Sequence, residues 1–386
     1  MTVVAAETTS TSPLVAAARA AVPLVARHAA AADTSRDLHP EVIAAIVDAG
    51  FTRHFSPLSP GGASRTADAG FAEITQATAA LGEGCASAAW VASVTAAAGR
   101  LTGFLPRAGQ EEVWAKGAGT VVAAGLIPAG TATPVPGGWT VSGSWPYVSG
   151  VGFAHWVLLA ARTETAGGTE IRLFAVPTTD VAVEDTWFTL GMRGTGSNTA
   201  AVDGVMVPQE RSVPLAAAVT GRPVEASAAP CHRLPLKAVN GLSLTAPLLG
   251  TARGAVRRWT ELAGARLSGA PAGVSGATDQ GTYEQILARS DGEVELAALA
   301  LDRVARAADS GSVTEAGTAR AVRDCALAAE ILATAVDRLL RSAGTRAHAE
   351  QEELQRRWRD VTCGAGHNAL QFSPAAQLHA RTVLGG

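Results

Sequence analysis

The apolar positions change period twice along the chain. Over residues 13–116 they recur at helical spacing on an alanine-rich background. Pro40 suits a first helical turn, Val42, Ile43, Ile46 and Val47 share one face, and Gly50 stands where a C-terminal cap belongs. The stretch from Phe71 to Leu101 reads as two more helices, broken near Gly82 and Gly84. From about residue 118 to 212 the pattern becomes strand-like, in WTVSGSW, in HWVLLAA with the turn residues AGG after it, in IRLFAVP and in Val181 to Phe188. Asp203-Gly204 reads as a hairpin turn between AAV and VMVP, and the length suits roughly six to eight strands. Residues 216–234 read as a linker or exposed loop. Helical spacing then returns to about residue 370, with a second loose region from Ser268 to Gly281. Helices, a compact β segment and long helices, without βαβ alternation, predict an α+β fold that is mostly α. Three domains are expected, a helical one over 1–117, a β domain over 118–215 and a helical bundle over 216–386.

Composition narrows the class. Hydrophobic residues are 47% and charged residues 17% of 386, so a large core is available and whole-chain disorder is excluded. Lys+Arg is 31 against Asp+Glu 34, a net charge of -3, which gives no general basic surface for nucleic acid. Cys85, Cys231, Cys325 and Cys363 form no CxxC pair, which argues against a disulfide scaffold or a structural zinc site. Residues 117–161 carry no Asp, Glu, Lys or Arg, but recurrent Gly and Pro make them buried strands rather than a membrane helix. The N-terminus has neither a basic start nor an apolar core of signal-peptide type, so a soluble cytoplasmic protein is expected.

Nucleotide and hydrolase motifs are missing: no GxGxxG after a strand, no GxxxxGK[ST], no HExxH and no GxSxG. GMRGTGSNT at 191–199 is either a turn between strands or a loop whose N–H groups cradle an anion. On the helix around LQRRWRDVTCGAGH, Leu354, Trp358, Val361 and Ala365 form the apolar stripe. Arg356, Asp360, Cys363 and His367 fall at i, i+4, i+7 and i+11 on a polar one. That stripe is either a solvated face or the lining of a cleft in which His367 exchanges protons. Asp360 is about 10 Å from His367 by helical rise, too far for direct pairing. Cys363 and His367 share a face, but two ligands make no metal site, and none is expected. In SGSWPYVSG, strict alternation places Trp145, Tyr147 and Ser149 on one side. The strand is either core or the wall of a site for a flat heteroaromatic ring.

Together these segments resemble acyl-CoA dehydrogenases over roughly residues 13–384. LHPEVIAAIVDAGF with SPLSPGG is similar to that family's opening helix and turn, LGMRGTGSNTAAVDGVMVP to its strand pair ending in Val-Pro, and LQRRWRDV to its C-terminal Arg-Asp segment. GSWPYVSG is similar to the segment whose last hydroxyl contacts flavin N5, the place of Ser149 here. Two departures are informative. The family's catalytic Glu, nine residues after the Arg, is Asn368 here, and the Glu-Pro-x-Ala-Gly-Ser-Asp run is replaced by LIPAGTATPVPGGWTV. Both resemble the branch of two-component flavin-dependent monooxygenases. Its markers stand at Ser142 to Gly150, at Arg193 to Ser197 and at Trp358-Arg359-Asp360 with His367 eight residues after the Arg, and CASAAWV matches its Ser-x-x-Trp-Val helix. A second His found in phenol-hydroxylating members is Ala98 here.

The resemblance implies an acyl-CoA dehydrogenase fold with a central β-barrel or sandwich and a C-terminal four-helix bundle, assembled as a homotetramer through the C-terminal helices. It implies an oxygenase that takes reduced FMN or FAD from a separate reductase and, through a flavin C4a-hydroperoxide formed with O₂, hydroxylates or N- or S-oxidises a small organic substrate. An alanine-rich, lysine-poor composition associates such enzymes with secondary metabolism, including antibiotic biosynthesis. His367 and Ser149 would be catalytic. Trp145, Tyr147, Ser149 and Ser197 would hold the flavin ring, and Arg266 its phosphates across a subunit interface, with Arg253, Arg257 and Arg258 as neighbours able to replace it. Two rivals remain open: an acyl-CoA oxidoreductase using FAD on a thioester, with Glu261 as its base, and a helical assembly protein without flavin chemistry.

Overall fold

In the computed structural model, residues 12–58, 69–165, 167–225, 228–268 and 280–385 are described. The N-terminal third is helical: α1 (Pro13–Ser35), α2 (Pro40–Ala49), α3 (Phe51–His54), α4 (Phe71–Gly82), α5 (Ala86–Thr102) and α6 (Arg107–Val113). Pro40 opens α2, and Gly50, at φ 104, caps it with its N–H on the carbonyls of Ile46 and Val47, a left-handed geometry suited to glycine. By length and apolarity α1 could cross a membrane. Its stripe Leu14, Val15, Ala18, Val25, Ala29 and Ala32 instead packs into the main core. The SPLSPGG turn lies largely outside the described residues, as does most of the loose region from Ser268 to Gly281.

Seven strands follow: β1 (Val122–Val135), β2 (Gly138–Val148), β3 (Trp156–Thr165), β4 (Gly168–Pro177), β5 (Ala182–Glu184), β6 (Asn198–Pro208) and β7 (Ser212–Pro214). They form one sheet in the order β5-β6-β2-β1-β3-β4-β7, with only β1 and β3 parallel. The expected strand from Val181 to Phe188 shrinks to β5, because Thr186 and Trp187 turn their N–H groups to the Asn198 side chain instead of a neighbouring strand. Asp203-Gly204 is not a hairpin. β6 runs straight through it, and the two residues bulge opposite Ser142, with Gly204 at φ 64 and its N–H on Ser142 Oγ at 2.8 Å. A left-handed glycine serves a bulge as readily as a turn.

The C-terminal part holds α7 (Leu215–Thr220), α8 (Leu236–Ser268), α9 (Gln280–Asp309), α10 (Glu315–Ser342), α11 (Glu353–Ala365) and α12 (Phe372–Leu384). The segment 216–234, expected as a linker or exposed loop, is exposed in part, at Val219 and Val224 for example, but is anchored at both ends. α7 occupies its start, and Cys231 and His232 are buried, with His232 Nε2 at 2.9 Å from the Phe55 carbonyl. The fold is the expected α+β, mostly helical arrangement, with α5 buried along most of its length between the sheet and the C-terminal helices.

The β and helical parts are sewn together at the glycine-rich loop after β5. Asp360 of α11 accepts the Met192 N–H at 2.6 Å. Arg359 donates to the Leu190 carbonyl at 2.7 Å and pairs with Asp33 of α1 at 2.7 Å. The loop approaches so closely that a Cβ on Gly191 would lie 2.1 Å from the Arg359 carbonyl oxygen. Gly191→Ala is therefore expected to cost at least about 1–3 kcal/mol and to loosen this seam. A lower midpoint in chemical denaturation with unchanged slope would show it. Burial pushes the Asp360 carboxyl up to about 6. A folded-state value above the unfolded one means that its contribution is present below the unfolded value and lost as pH rises through about 6. Asp360→Asn keeps an acceptor for Met192 without the charge. The melting temperature of the variant relative to the parent is expected to rise between pH 4 and pH 7, where the parent forfeits at most about 3 kcal/mol. A difference independent of pH would contradict the assignment.

Candidate active site

A cavity of about 620 Å³ opens where the sheet, α4, α5, α8 and the turn after α11 meet. That volume lies in the range of small-ligand sites. The β wall carries a chain of hydroxyls. Trp90 Nε1–H donates to Ser149 Oγ at 3.1 Å, Ser149 Oγ is 2.7 Å from Ser197 Oγ, and Ser197 Oγ is 2.7 Å from Thr195 Oγ1. Thr195 donates in turn to the Met192 carbonyl at 2.8 Å, which also receives the Trp187 indole N–H at 3.0 Å. Each hydroxyl owns one proton, so the order is fixed from the far end. Thr195 spends its proton on Met192 and accepts from Ser197, and Ser197 accepts from Ser149. Ser149 thus accepts from Trp90, donates to Ser197 and keeps one free lone pair as an acceptor.

Local backbone geometry makes this wall. Met192 and Gly196 both adopt positive φ, of 54 and 52, which folds residues 192–197 tightly enough for Thr195 and Ser197 to face the end of β2. The glycine-rich stretch is therefore a packed turn that contributes side-chain hydroxyls. In β2, Trp145 pairs with Ala200 and Val148 with Asn198, so Pro146 and Tyr147 bulge opposite Thr199 alone. Proline, lacking an N–H, fits there. Tyr147 has φ 64 and is 67% exposed.

That bulge corrects the alternation expected for Trp145, Tyr147 and Ser149. Trp145 is fully buried in the sheet, its indole laid over Gly125, Gly130 and Gly143 and bonded to the Ala160 carbonyl at 2.7 Å. It does not line the cavity, whereas Pro146, Tyr147 and Ser149 do. Tyr147 stands edge-on to Trp187 at 6.1 Å, an aromatic pair at the rim. Arg266 also lies outside the cavity, exposed at the C-terminal end of α8 beside Gly344.

The polar stripe of α11 turns inward. Asp360 is buried and Cys363 borders the cavity, its thiol pushed up by burial and so neutral. His367 is not on the helix, which ends at Ala365. It caps the short turn that follows, with Nδ1 accepting the Ala369 N–H at 3.1 Å. It lines the cavity, and partial burial holds its imidazole below the ordinary histidine value. An imidazole whose Nδ1 accepts a backbone N–H carries its proton on Nε2 when neutral. Its ring lies 5.9 Å from that of Trp90. No Asp or Glu lines the cavity among the described residues, and Arg100 is its only permanently charged group. Glu261 points elsewhere, into an ion pair with Arg258 at 2.9 Å. Sequence reading missed Trp90 as the donor to Ser149 and Trp187 as a wall. Nothing in the spacing of such distant segments signals either role.

Residues 242–372 match the family model described as Acyl-CoA dehydrogenase, C-terminal domain. The oxygenase subunit HsaA of a flavin-dependent monooxygenase from Mycobacterium tuberculosis is 29% identical over 358 residues, covering 90% of this chain and 89% of that protein. The crystal structure of 3-HSA hydroxylase from Rhodococcus sp. RHA1 superposes with a TM-score of 0.90 at 26% identity, covering 97% of both chains. XiaF from Streptomyces sp., solved in complex with FADH2 and glycerol, gives a TM-score of 0.87 at 27% identity over 97% of this chain and 95% of that one. The arrangement of a seven-stranded sheet between two helical parts is thus shared nearly end to end with proteins of one kind, and the chain is similar to the oxygenase components of flavin-dependent monooxygenases with the acyl-CoA dehydrogenase fold.

Proposed function

We propose that this chain takes reduced FMN or FAD from a separate flavin reductase and uses O₂ to hydroxylate, or to oxidise at nitrogen or sulfur, a small organic molecule. The observation that carries the reading is the polarity of the hydroxyl chain. The free lone pair of Ser149 is an acceptor, and N5 of a flavin bears a proton only in the reduced states, so the wall complements reduced flavin. The bound flavin would supply the electrons that activate O₂. Ser149 would hold N5, Ser197 and Thr195 would keep Ser149 oriented, and Tyr147 and Trp187 would flank the ring. Trp145 supports this wall from behind as the plug of the sheet. Apolar side chains such as Ile74, Val94, Leu101 and Leu244 line much of the remaining surface and keep water from the reacting atoms.

His367, neutral and with Nε2–H presented, would donate a proton or hydrogen bond to a developing oxyanion. To act as a base it would first have to release the Ala369 N–H. A thioester desaturase is disfavoured, because proton abstraction beside a carbonyl needs a base, the corresponding position is Asn368, and Glu261 lies outside the cavity. The same reading includes a cytoplasmic location and a homotetramer built on the C-terminal helices. The exposed Leu296 and Leu299 of α9 and Val383 and Leu384 of α12 support such an interface. Arg266 could then hold flavin phosphates only at a second subunit's site.

Two experiments test these roles. Protein loaded anaerobically with reduced flavin and mixed with oxygenated buffer is expected to show, in a stopped-flow, an absorbance transient distinct from both reduced and oxidised flavin. Ser149→Ala should shorten its life about 10- to 100-fold, the worth of one hydrogen bond in a dry site. Immediate reoxidation without a transient, with bleaching of bound oxidised FAD by an acyl-CoA, would instead identify a dehydrogenase. For His367, glutamine reproduces the Nε2 donor and asparagine the Nδ1 cap. His367→Gln should retain product formation per O₂ consumed within about tenfold, and His367→Asn should lose about a hundredfold. Equal losses would remove the donor role.

A further inference from the structure

We propose that the end of the cavity remote from Ser149 is a carboxylate subsite, and that the substrate is an elongated monoacid whose oxidised group and carboxylate sit at opposite ends. This rests on the monooxygenase reading for the oxidised end only. Trp90, bonded to Ser149, and Arg100 both belong to α5. Ten residues of helix separate them, about 15 Å along the axis. Between them Val94, Ala97 and Ala98 present an apolar run to the cavity.

Arg100 is only 2% exposed and borders the cavity. Its Nε–H donates to the Cys231 carbonyl at 2.6 Å and Nη2 to the Leu234 carbonyl. Phe71 and Phe104 lie 5.8 and 5.6 Å from its guanidinium carbon. Among the described residues no Asp or Glu pairs with it. Burial brings it down to about 10, so it is still a cation at neutral pH. A guanidinium has five N–H donors, and the two carbonyls use two of them. Two hydroxyls accompany it on α4. Thr75 and Thr78 border the same cavity, and their Oγ1 atoms are buried without a hydrogen-bond partner. A cation with no carboxylate partner among the described residues and hydroxyls without partners are each costly to bury, and a ligand bringing acceptor oxygens to this end of the cavity would offset that cost. A single cation suits a monoanion, and a carboxylate accepts from guanidinium and hydroxyl alike.

Calorimetric binding to the full chain without flavin tests this. The probes are para-hydroxyphenyl alkanoic acids of increasing chain length, each against its primary amide. At one preferred length the acid is expected to bind at least about tenfold tighter than the amide. Arg100→Gln should abolish the preference. Because Arg100 also ties residues 231–234 to α5, the Thr75→Val/Thr78→Val double variant, which leaves those bonds intact, should reduce it too. Acid and amide binding alike, no acid binding at any length, or a preference that survives both variants would overturn the subsite. So would Arg100→Gln weakening reduced FMN instead of the acid, which would make the cation part of the flavin site. As no flavin is present in the acid titrations, their outcome is independent of the stopped-flow transient.

Discussion

The contact on which the rest depends is the seam between α11 and the turn at residues 190–197. A buried carboxylate, an arginine and a glycine form it. Asp360 fixes the Met192 amide, Arg359 fixes the Leu190 carbonyl while tying in Asp33 of α1, and Gly191 lets the two backbones touch. Burying Asp360 costs energy, visible in its raised titration range. It is tolerated because the carboxylate satisfies an amide that would otherwise be stranded. Three chain segments distant in sequence thereby share one anchor, and the cavity lies beside it.

From that anchor the polarity of the site follows. Met192 supplies the one carbonyl that ends the hydroxyl chain, and its second lone pair is taken by Trp187. Because the Met192 carbonyl can only accept, Thr195 donates to it, and this favours one proton order through Ser197 and Ser149. Such a wall is already oriented before a ligand arrives, so no reorganisation is needed when charge develops nearby. His367 is held in the same manner, by a backbone amide that selects its tautomer. The opposite end of the cavity is not neutral scaffolding. Among the described residues, Arg100 is the one permanent charge of the lining, and Thr75 and Thr78 line the same cavity with hydroxyls that have no partner.

Much of this was legible beforehand, for local reasons. Helix boundaries at Pro40 and Gly50, and at Gly82, depend on residues within a turn of the boundary. The resemblance singled out Ser149, Ser197 and His367 because short motifs hold them. Failures arose where tertiary pairing overrode a local rule. Alternation put Trp145 beside Tyr147, but the bulge opposite Thr199 rotated Tyr147 outward and left Trp145 over three glycines. Asp203-Gly204 has the composition of a turn, but the β2 partner runs past it, and a bulge resulted. His367 fits a helical stripe by spacing, but α11 stops two residues earlier.

What the sequence by itself determined is the order of helices and strands, a strand whose end carries the Ser149 hydroxyl, and an amide rather than a carboxylate at Asn368. All of these are carried by neighbouring residues. Only the tertiary structure decided which of those residues share a space. The direction of the hydroxyl chain, the inward turn of the α11 stripe, and the placement of Arg100, Thr75 and Thr78 along one cavity depend on packing between segments distant in sequence, 168 residues apart for Met192 and Asp360. A hydrogen bond or a buried charge is set by its partners in space, and no period or motif along one chain encodes those partners.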